Sequence, residues 1–256
     1  MEFKEGIFAN ISMAEYRVIP ALNKSAMTSI DISSFHYHNA LKAKRKKISR
    51  ALAIGSALDM KLFEPELYSK NVKIHKWKTP KEFIVNKEQV LYLHEDDMAM
   101  IDSMHRSIFQ NPLTSKIFQS GLSQTTLLWM DSETGIHCKA RPDWICEDLK
   151  LMVDLKTCPL ASYNKFRRDA KRFRYDFQAQ WYLEGWQRLT GKKFTFAFAC
   201  MEKIAPYSKK QIAVYSLPDS EIEAARQEIE PIKEKYKLYV NGDREGYPCT
   251  IQSLYL

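Results

Sequence analysis

Two acidic residues and a lysine lie close together near the middle of the sequence, in an order suited to metal-dependent chemistry. Asp143 ends one strand of a predicted hairpin, and Asp154 and Lys156 lie on the next predicted strand. Because side chains alternate along a strand, Asp154 and Lys156 point to one face and the apolar residues beside them point into the core. Two carboxylates at the edge of a sheet suit Mg²⁺, and the lysine can hold or help deprotonate a metal-bound water beside a phosphate. An exposed, salt-bridged hairpin would contain the same residues, so both interpretations stay open at this point.

A glutamine and a tyrosine further along the chain could add hydrogen-bond donors to this set. Gln178 and Tyr182 are four residues apart in a segment predicted to be helical, so one face of the helix presents both. An amide and a phenol one turn apart can donate to a phosphate or a base. An ordinary half-buried helix would show the same spacing.

A third acid, Asp59, lies in the middle of an otherwise apolar predicted helix. An aspartate in such a helix costs stability if it is buried, unless it is paired or bound to a metal. It could equally lie on the exposed face, and the sequence does not decide between the two.

Basic residues are concentrated in two parts of the chain, which carries a formal net charge of +8. The clusters comprise Lys42, Lys44, Arg45, Lys46, Lys47 and Arg50, and Lys165, Arg167, Arg168, Lys171, Arg172 and Arg174. Phe166, Phe173 and Tyr175 are interleaved with the second cluster, as is typical of surfaces that bind a phosphate backbone. A solvated helix face would have the same composition, and only proximity to a catalytic site favours nucleic-acid binding.

Length and composition limit the class of protein. The chain has 256 residues, of which 45% are hydrophobic and 27% charged, as in a globular protein of one large domain or two small ones. No stretch approaches the roughly 18 apolar residues of a membrane-spanning helix. The first residues do not resemble a secretory signal, so we expect a cytoplasmic protein that does not contact a membrane. Five scattered cysteines without a C-x-x-C pair predict free thiols rather than a zinc ribbon or a redox motif.

Hydrophobic periodicity predicts the elements that position these residues. They are helices at 50–63, 95–110, 160–172, 176–190 and from Pro218 onward, and strands at Thr125–Met130, Ile136–Arg141, Leu151–Thr157, Phe194–Cys200 and Gln211–Leu217. Leu52, Leu58 and Leu62 are expected to share one broad face of the first helix. Pro231 is expected to kink the last helix, and Asn241 with Gly242 to end it. Residues 1–50 are expected to be irregular with short helices, and strands between helices predict a mixed α/β domain with a central sheet.

Taken in order, the motifs resemble those of the PD-(D/E)xK nuclease superfamily. They are Gly-Ser-Ala-x-Asp ending at Asp59, Leu-Phe-Glu-Pro-Glu, Arg-Pro-Asp ending at Asp143, Asp-Leu-Lys-Thr beginning at Asp154, and Gln178 with Tyr182. Within the superfamily, the chain is most similar to the C-terminal nuclease domain of the exonuclease VIII (RecE) type found in prophages. The similarity runs from about residue 23 to beyond residue 200, and the ordered set is far more specific than any single motif.

The resemblance implies a fold and a division of the chain. The fold would be α/β, with a restriction-endonuclease-like core in which helices flank a central mixed β-sheet. One domain would span 1–256, with an N-terminal segment at 1–50, a nuclease core at 50–217, and a helix and tail at 218–256.

The resemblance also implies roles for individual residues. Those roles are metal ligation by Asp143, Asp154 and the carbonyl of Leu155, catalysis by Lys156, and the Q-x-x-x-Y element of RecB-type nucleases at Gln178 and Tyr182. The family usually has histidine where this chain has Asp59, and aspartate is also a competent oxygen ligand for Mg²⁺, with Mn²⁺ as a substitute. The cysteines do not resemble the set that holds an iron–sulfur cluster in some RecB-related nucleases, so no cluster is expected.

The activity implied is a Mg²⁺-dependent exonuclease that degrades double-stranded DNA 5′→3′ and leaves a 3′ single strand for annealing. A ring-shaped homo-oligomer, a single-strand annealing partner and a phage or prophage origin in a bacterial cytoplasm are implied with it. The DNA-binding residues would be Lys165, Arg167, Arg168, Lys171 and Arg172, with Lys44, Arg45, Lys46 and Lys47. The alternatives are an endonuclease or single-strand nuclease that uses the same site, and a non-catalytic DNA-binding recombination accessory protein.

Overall fold

The computed structural model describes residues 3–43, 49–74, 90–203 and 212–247. Within these ranges the chain forms ten helices and ten strands, and the strands make a five-stranded, a three-stranded and a two-stranded sheet. No helix in this part of the chain is long and apolar enough to cross a membrane. The predicted α/β fold, a central mixed sheet flanked by helices, is confirmed.

The first part of the chain is built from short elements, as the sequence predicts. These are strand β1 (Gly6–Phe8) and helices α1 (Met13–Val18), α2 (Lys24–Ile32) and α3 (Ser34–Lys42). Each helix begins at a side chain that accepts a hydrogen bond from its first turn, namely Ser12, Asn23 and Ser33. β1 pairs with residues 126–128 of a later strand, so the N-terminal segment is packed into the fold.

The second part contains the two long helices that the sequence predicts at 50–63 and 95–110. Its elements are α4 (Arg50–Phe63), α5 (Pro65–Asn71), β2 (Val72–Ile74), β3 (Leu91–Leu93), α6 (Glu95–Gln110) and α7 (Pro112–Ile117). One expectation is wrong, because Leu58 is buried whereas Leu52 is 57% exposed. Six positions at about 100° per residue place the two side chains on different faces of the helix.

The remaining elements carry the sheet and its flanking helices. They are β4 (Leu122–Ser123), β5 (Thr126–Met130), β6 (His137–Ala140), β7 (Trp144–Cys146), β8 (Leu151–Cys158), α8 (Tyr163–Phe173), α9 (Tyr175–Thr190), β9 (Thr195–Glu202), β10 (Ile212–Ser216) and α10 (Asp219–Val240). The five-stranded sheet has the order β10-β9-β8-β7-β4, in which only β8 and β9 are parallel neighbours.

The predicted hairpin forms, but in a sheet of its own. β5 and β6 are antiparallel and join β1 in the three-stranded sheet. Gly135 in the turn has φ 72°, a left-handed conformation that glycine adopts without strain. The strand that follows the hairpin in the central sheet, β7, is not predicted, because three residues are too few to show an alternating pattern.

Two hydrophobic clusters pack against the central sheet, one on each face of β8 and β9. Val153 and Leu155 pack into the cluster that contains α4 and α6, as the sequence predicts. Met152 and Phe198 face the opposite cluster, which contains α9 and α10. Asp154 and Lys156 alternate with Val153 and Leu155, so they lie on the α9 side of the sheet.

α10 runs without interruption through Pro231 and ends at Asn241, followed by Gly242 with φ 106°. Pro231, at which the sequence predicts a kink, lies inside the helix and is exposed.

A buried lysine joins α10 to two neighbouring elements. Lys233 is 1% exposed and donates to Asp131 in the hairpin turn, Glu184 on α9 and Glu230 on its own helix at 2.9–3.0 Å. The four cysteines in the described part of the chain are free and buried, in agreement with the prediction of free thiols.

Candidate active site

Asp143, immediately before β7, lies beside Asp154 on the adjacent strand β8. β7 and β8 pair with Trp144 opposite Val153, so the residue before β7 lies beside the residue after Val153. The sequence predicts that Asp143 ends a hairpin strand; in the structure it lies in the bend between β6 and β7, next to β8. Asp154 is buried and Asp143 half-buried. The backbone N–H of Leu155 donates to Asp143 Oδ2 at 2.9 Å, which orients that carboxylate.

Lys156 is held between a carboxylate, an amide and an aromatic ring. Its Nζ lies 2.5 Å from Asp154 Oδ2 and 4.7 Å from the centre of the Tyr175 ring, and it donates to Gln178 Oε1 at 3.2 Å. Burial alone would lower the pKa of the ammonium, but the charges of Asp154 and Asp143 outweigh it and raise the pKa above its ordinary value. Lys156 therefore stays protonated at neutral pH when no cation is bound.

Gln178 and Tyr182 extend the same network from α9. The amide of Gln178 donates to Asp154 Oδ1 while its oxygen accepts from Lys156. Tyr182 lies one turn later, and burial raises the pKa of its phenol well above the ordinary value. A neutral tyrosine at this position keeps its proton and can donate it in a hydrogen bond.

Asp59 is half-buried and close enough to these residues to interact with their charges. Burial first, and then repulsion from Asp154, raises the pKa of its carboxyl from 3.8 to about 7, although Lys156 acts in the opposite direction. α4 comes close to the sheet at Gly55, where an added Cβ would lie 3.0 Å from Thr157 Oγ1. The absence of a side chain at Gly55 therefore lets α4 bring Asp59, about one turn further on, to the site.

The acids match the requirements of a divalent cation of the Mg²⁺ type. Burial, then repulsion from Asp154 and Asp59, raises the pKa of Asp143 well above its usual range. A site that retains protons because its carboxylates are buried and repel one another is one in which a divalent cation would replace those protons. No group of three or more His, Cys, Asp or Glu side chains in the described ranges forms a ready-made cage. Mg²⁺ does not require one, since it keeps several waters and commonly uses one or two carboxylates plus substrate phosphates.

A cleft of about 490 Å³ opens beside Lys156, and positive charge dominates its lining. The lining residues are Lys24, Ser25, Thr28, Lys156, Arg172, Phe173, Arg174, Tyr175, Gln178 and Tyr182. Lys24, on the first turn of α2, donates to the carbonyl of Phe173 at 2.7 Å, and burial, then repulsion from Lys156, lowers its pKa. Several cations and hydroxyls around one cleft suit an anion such as a phosphate.

The predicted DNA-binding residues on α8 differ in the surface that they line and in their availability to a phosphate. Arg172 lines the cleft beside Lys156, whereas Arg167 and Lys171 line a second cleft of about 730 Å³ that shares Arg174 with the first. Arg168 is exposed. Lys165 is paired with Asp169 at 2.5 Å, so it is less available to a phosphate than the arginines are.

The predicted basic residues ahead of α4 are for the most part outside the described residues. Those outside are Lys44, Arg45, Lys46 and Lys47. At the borders of that segment, Lys42 is exposed and Arg50 is paired with Asp97 at 2.5 Å.

Sequence reasoning missed three residues that lie at the site. Glu64 raises the pKa of Asp59 and lies 3.6 Å from the guanidinium of Arg141; its signal was its place in the Leu-Phe-Glu-Pro-Glu motif. Gln124 donates to Asp143 Oδ1 at 3.3 Å, and Lys24 lines the cleft. These last two residues belong to no motif, so their roles depend on the folded chain.

Comparison with known proteins identifies a family and a similar fold. Residues 23–252 match the family described as a PDDEXK-like domain of unknown function (DUF3799). A structure from Eubacterium rectale, described as that of a candidate exonuclease, aligns with a TM-score of 0.68 and 19% identity over 94% of this chain and 88% of that chain. A phage-related exonuclease from Haemophilus somnus 129PT aligns over 90% of this chain and 88% of that chain, with a TM-score of 0.36 and 11% identity.

No curated protein matches the chain. At 19% identity, the likeness to the Eubacterium rectale structure shows the fold alone. The family match covers most of the sequence, including every acid, the lysine and the Gln/Tyr pair of the site. The chain therefore belongs to the PDDEXK-like family.

Proposed function

We propose that this chain is a Mg²⁺-dependent deoxyribonuclease that hydrolyses phosphodiester bonds from the ends of double-stranded DNA. The observation that carries the proposal is the pair of adjacent carboxylates, Asp143 and Asp154, beside Lys156, which is ion-paired with Asp154 and lines a cationic cleft. Acids, a lysine and an anion site together suit phosphoryl hydrolysis better than any other common reaction class.

Asp143 and Asp154, together with Asp59, would hold the metal. When bound, a divalent cation supplies Lewis-acid stabilisation of the scissile phosphate and a water of lowered pKa. Lys156, protonated by its ion pair, provides a positive charge and a hydrogen-bond donor at the same place. The carbonyl of Leu155 remains a proposed further ligand.

The protein's other residues orient these groups. Gln178 fixes Asp154 and Lys156 relative to each other by bonding to both. Tyr182 adds a neutral donor, and it borders the cleft with Gln178. Since both lie on α9, one rigid helix sets the positions of the donors.

The cleft supports action at DNA ends. It adjoins Lys156 and is lined by Lys24 and Arg172, which can neutralise more charge than one internal phosphodiester carries. Arg174 also lines it but is already paired with Asp176 and Glu228 at 2.9 Å. A terminal phosphomonoester bears close to two negative charges at neutral pH, so an end with such a group would bind best. The exposed Arg167 and Arg168 would contact the backbone of the same duplex.

The finer parts of the proposal rest on the resemblance to RecE-type nucleases. They are digestion in the 5′→3′ direction, release of a 3′ single strand for recombination by annealing, a single-strand annealing partner and a ring-shaped homo-oligomer. A single domain over 1–256 is proposed on the same ground.

The test is digestion of linear duplex DNA in Mg²⁺, with the label at one 5′ end, beside a closed circular duplex. We expect the linear DNA to be degraded from its 5′ ends and the circle to stay intact, and removal of the 5′-phosphate to slow the reaction. Cutting of the circle would establish an endonuclease on the same residues. DNA binding without cleavage in either Mg²⁺ or Mn²⁺ would refute catalysis and leave a DNA-binding role.

A further inference from the structure

Asp143 needs external support that Asp154 does not. Asp154 lies within β8 and is 4% exposed, so packing restricts its side chain. Asp143 lies in a bend outside any strand and is half-buried, so its own backbone restricts it less. Its carboxylate is nevertheless bonded at both oxygens, by the N–H of Leu155 at Oδ2 and by the amide of Gln124 at Oδ1, 3.3 Å away.

The chemistry around Gln124 fixes which way its amide points. Arg141 Nε donates to Gln124 Oε1 at 3.2 Å, and a guanidinium has no acceptor to offer. The amide oxygen must therefore face Arg141, which leaves the NH₂ group to face Asp143. Glutamine can accept from a cation and donate to a carboxylate at the same time, whereas an ionised glutamate only accepts and a lysine only donates.

The backbone of Gln124 is also held in an unusual conformation. Its φ is 44°, in the left-handed region that non-glycine residues seldom adopt. Its N–H donates to the carbonyl of Asp143 at 3.0 Å, and the residue is 8% exposed. Strained backbone persists where the surrounding structure fixes it and is concentrated at functional sites.

Arg141 in turn is anchored from three directions. Its guanidinium donates to Thr126 Oγ1 at 3.0 Å and to the carbonyl of Ile11, and it lies 3.6 Å from Glu64 at the junction of α4 and α5. Arg141 is 7% exposed. A rigid chain of contacts thus runs from Glu64 through Arg141 and Gln124 to the acid.

On this geometry, we infer that Gln124 is the positioning residue of the Asp143 carboxylate. It does for Asp143 what Gln178 does for Asp154, since each glutamine accepts from a cation and donates to one acid. The inference rests on the proposed function, because it concerns an acid that would hold the metal. Residues that orient metal ligands typically change metal affinity or activity by roughly 10–100-fold when they are removed.

Two substitutions separate positioning from folding. Gln124→Met keeps the length of the side chain and removes the amide. Gln124→Asn keeps an amide and tolerates left-handed backbone, but it is one methylene too short to join Arg141 to Asp143. Gln187→Met, on the exposed surface of α9, is the matched control.

The first readout is Mn²⁺ binding to the protein without DNA, measured by the decrease of the free-ion EPR signal. We expect Gln124→Met and Gln124→Asn to weaken Mn²⁺ binding by roughly 10–100-fold, while Gln187→Met matches the natural protein. The second readout is cleavage at rising Mg²⁺ concentration. Loss of positioning shifts the half-saturating Mg²⁺ concentration upward, with less effect on the KM for DNA. Thermal unfolding of each variant establishes that it is folded.

Unchanged Mn²⁺ affinity in folded Gln124→Met and Gln124→Asn would overturn the inference and leave the proposed function intact. A natural protein that binds no Mn²⁺ would overturn the proposed metal site and the inference together. If Gln124→Met does not fold, Gln124→Asn decides the matter, because asparagine suits the backbone conformation at this position.

Discussion

Asp59→Asn should stabilise the protein when no divalent cation is present. Asparagine has nearly the shape of a protonated aspartate and removes the charge that Asp154 repels. The folded carboxyl has a pKa of about 7 against 3.8 for an ordinary aspartate, so between these values the folded state holds more protons than the unfolded state. The free energy of unfolding therefore falls as the pH rises through that interval, and the penalty is complete above pH 7.

The size of the effect follows from the pKa. A rise of the carboxyl pKa from 3.8 to about 7 corresponds to a penalty of about 4 kcal/mol. Because Asp59 is only half-buried, water screens part of the repulsion, and we expect about half, roughly 2 kcal/mol at pH 8. At pH 5 the folded carboxyl is still mostly protonated, so the gain should be smaller, about 1.5 kcal/mol.

The assay is urea unfolding of both proteins in EDTA, at pH 5 and at pH 8. A gain of roughly 2 kcal/mol at pH 8 would also raise the Tm by about 4–8 °C for a chain of this length. Asp148→Asn, an exposed aspartate in the turn before β8, is the matched control and should change stability little at either pH. Added Mg²⁺ should stabilise the natural protein more than Asp59→Asn, because one proposed ligand is missing from the variant.

An equal gain at both pH values would refute the reasoning, since it would show that the charge of Asp59 is not the cause. A loss of stability at pH 8 would also refute it, because it would show that the charged carboxylate of Asp59 stabilises the folded protein.

Three further variants test the site and its DNA surface. Asp154→Asn should abolish cleavage in a plasmid-linear digestion assay while DNA binding at low salt changes less than about threefold; retained cleavage would remove Asp154 from the catalytic set. Charge reversal at Arg167 and Arg168 should weaken DNA binding and reduce the slope of log K against log salt by about 2, and an unchanged slope would make this face of α8 ordinary solvated surface. Gly55→Ala should change the free energy of unfolding by less than about 1 kcal/mol, since the better helix propensity of alanine offsets crowding. Contact of the new Cβ with Thr157 should nevertheless displace α4 and lower kcat about tenfold. Unaltered kcat would mean that the close approach at Gly55 does not position the site.

Much of the fold was predictable because its main elements are long and periodic. α4, α6 and α9 span several turns each, and β8 is long enough to show alternation of core and site residues. The pairing of strands was not predictable to the same degree. β7 has three residues and no pattern, yet it is the strand that brings Asp143 beside β8.

The site was predictable where its members share one element and not where contacts cross the chain. Asp154 with Lys156 and Gln178 with Tyr182 each have a spacing that a strand or helix turns into a common direction. Gln124 lies nineteen residues from Asp143, and no local pattern connects the two. Its left-handed backbone is a property of the folded loop, which composition does not reveal.

The buried Lys233 has a consequence for folding, because it links the docking of α10 to that of two other elements. A lone ammonium in the interior costs several kcal/mol, so α10 gains little by docking before Asp131 and Glu184 are in place. A shift of α10 by one residue would leave the Lys233 ammonium buried without its carboxylate partners. Docking in the wrong register is therefore unfavourable, as is docking before the partners are in place. We therefore expect the hairpin turn, α9 and α10 to exchange their amide protons as one cooperative unit, although they come from distant parts of the sequence.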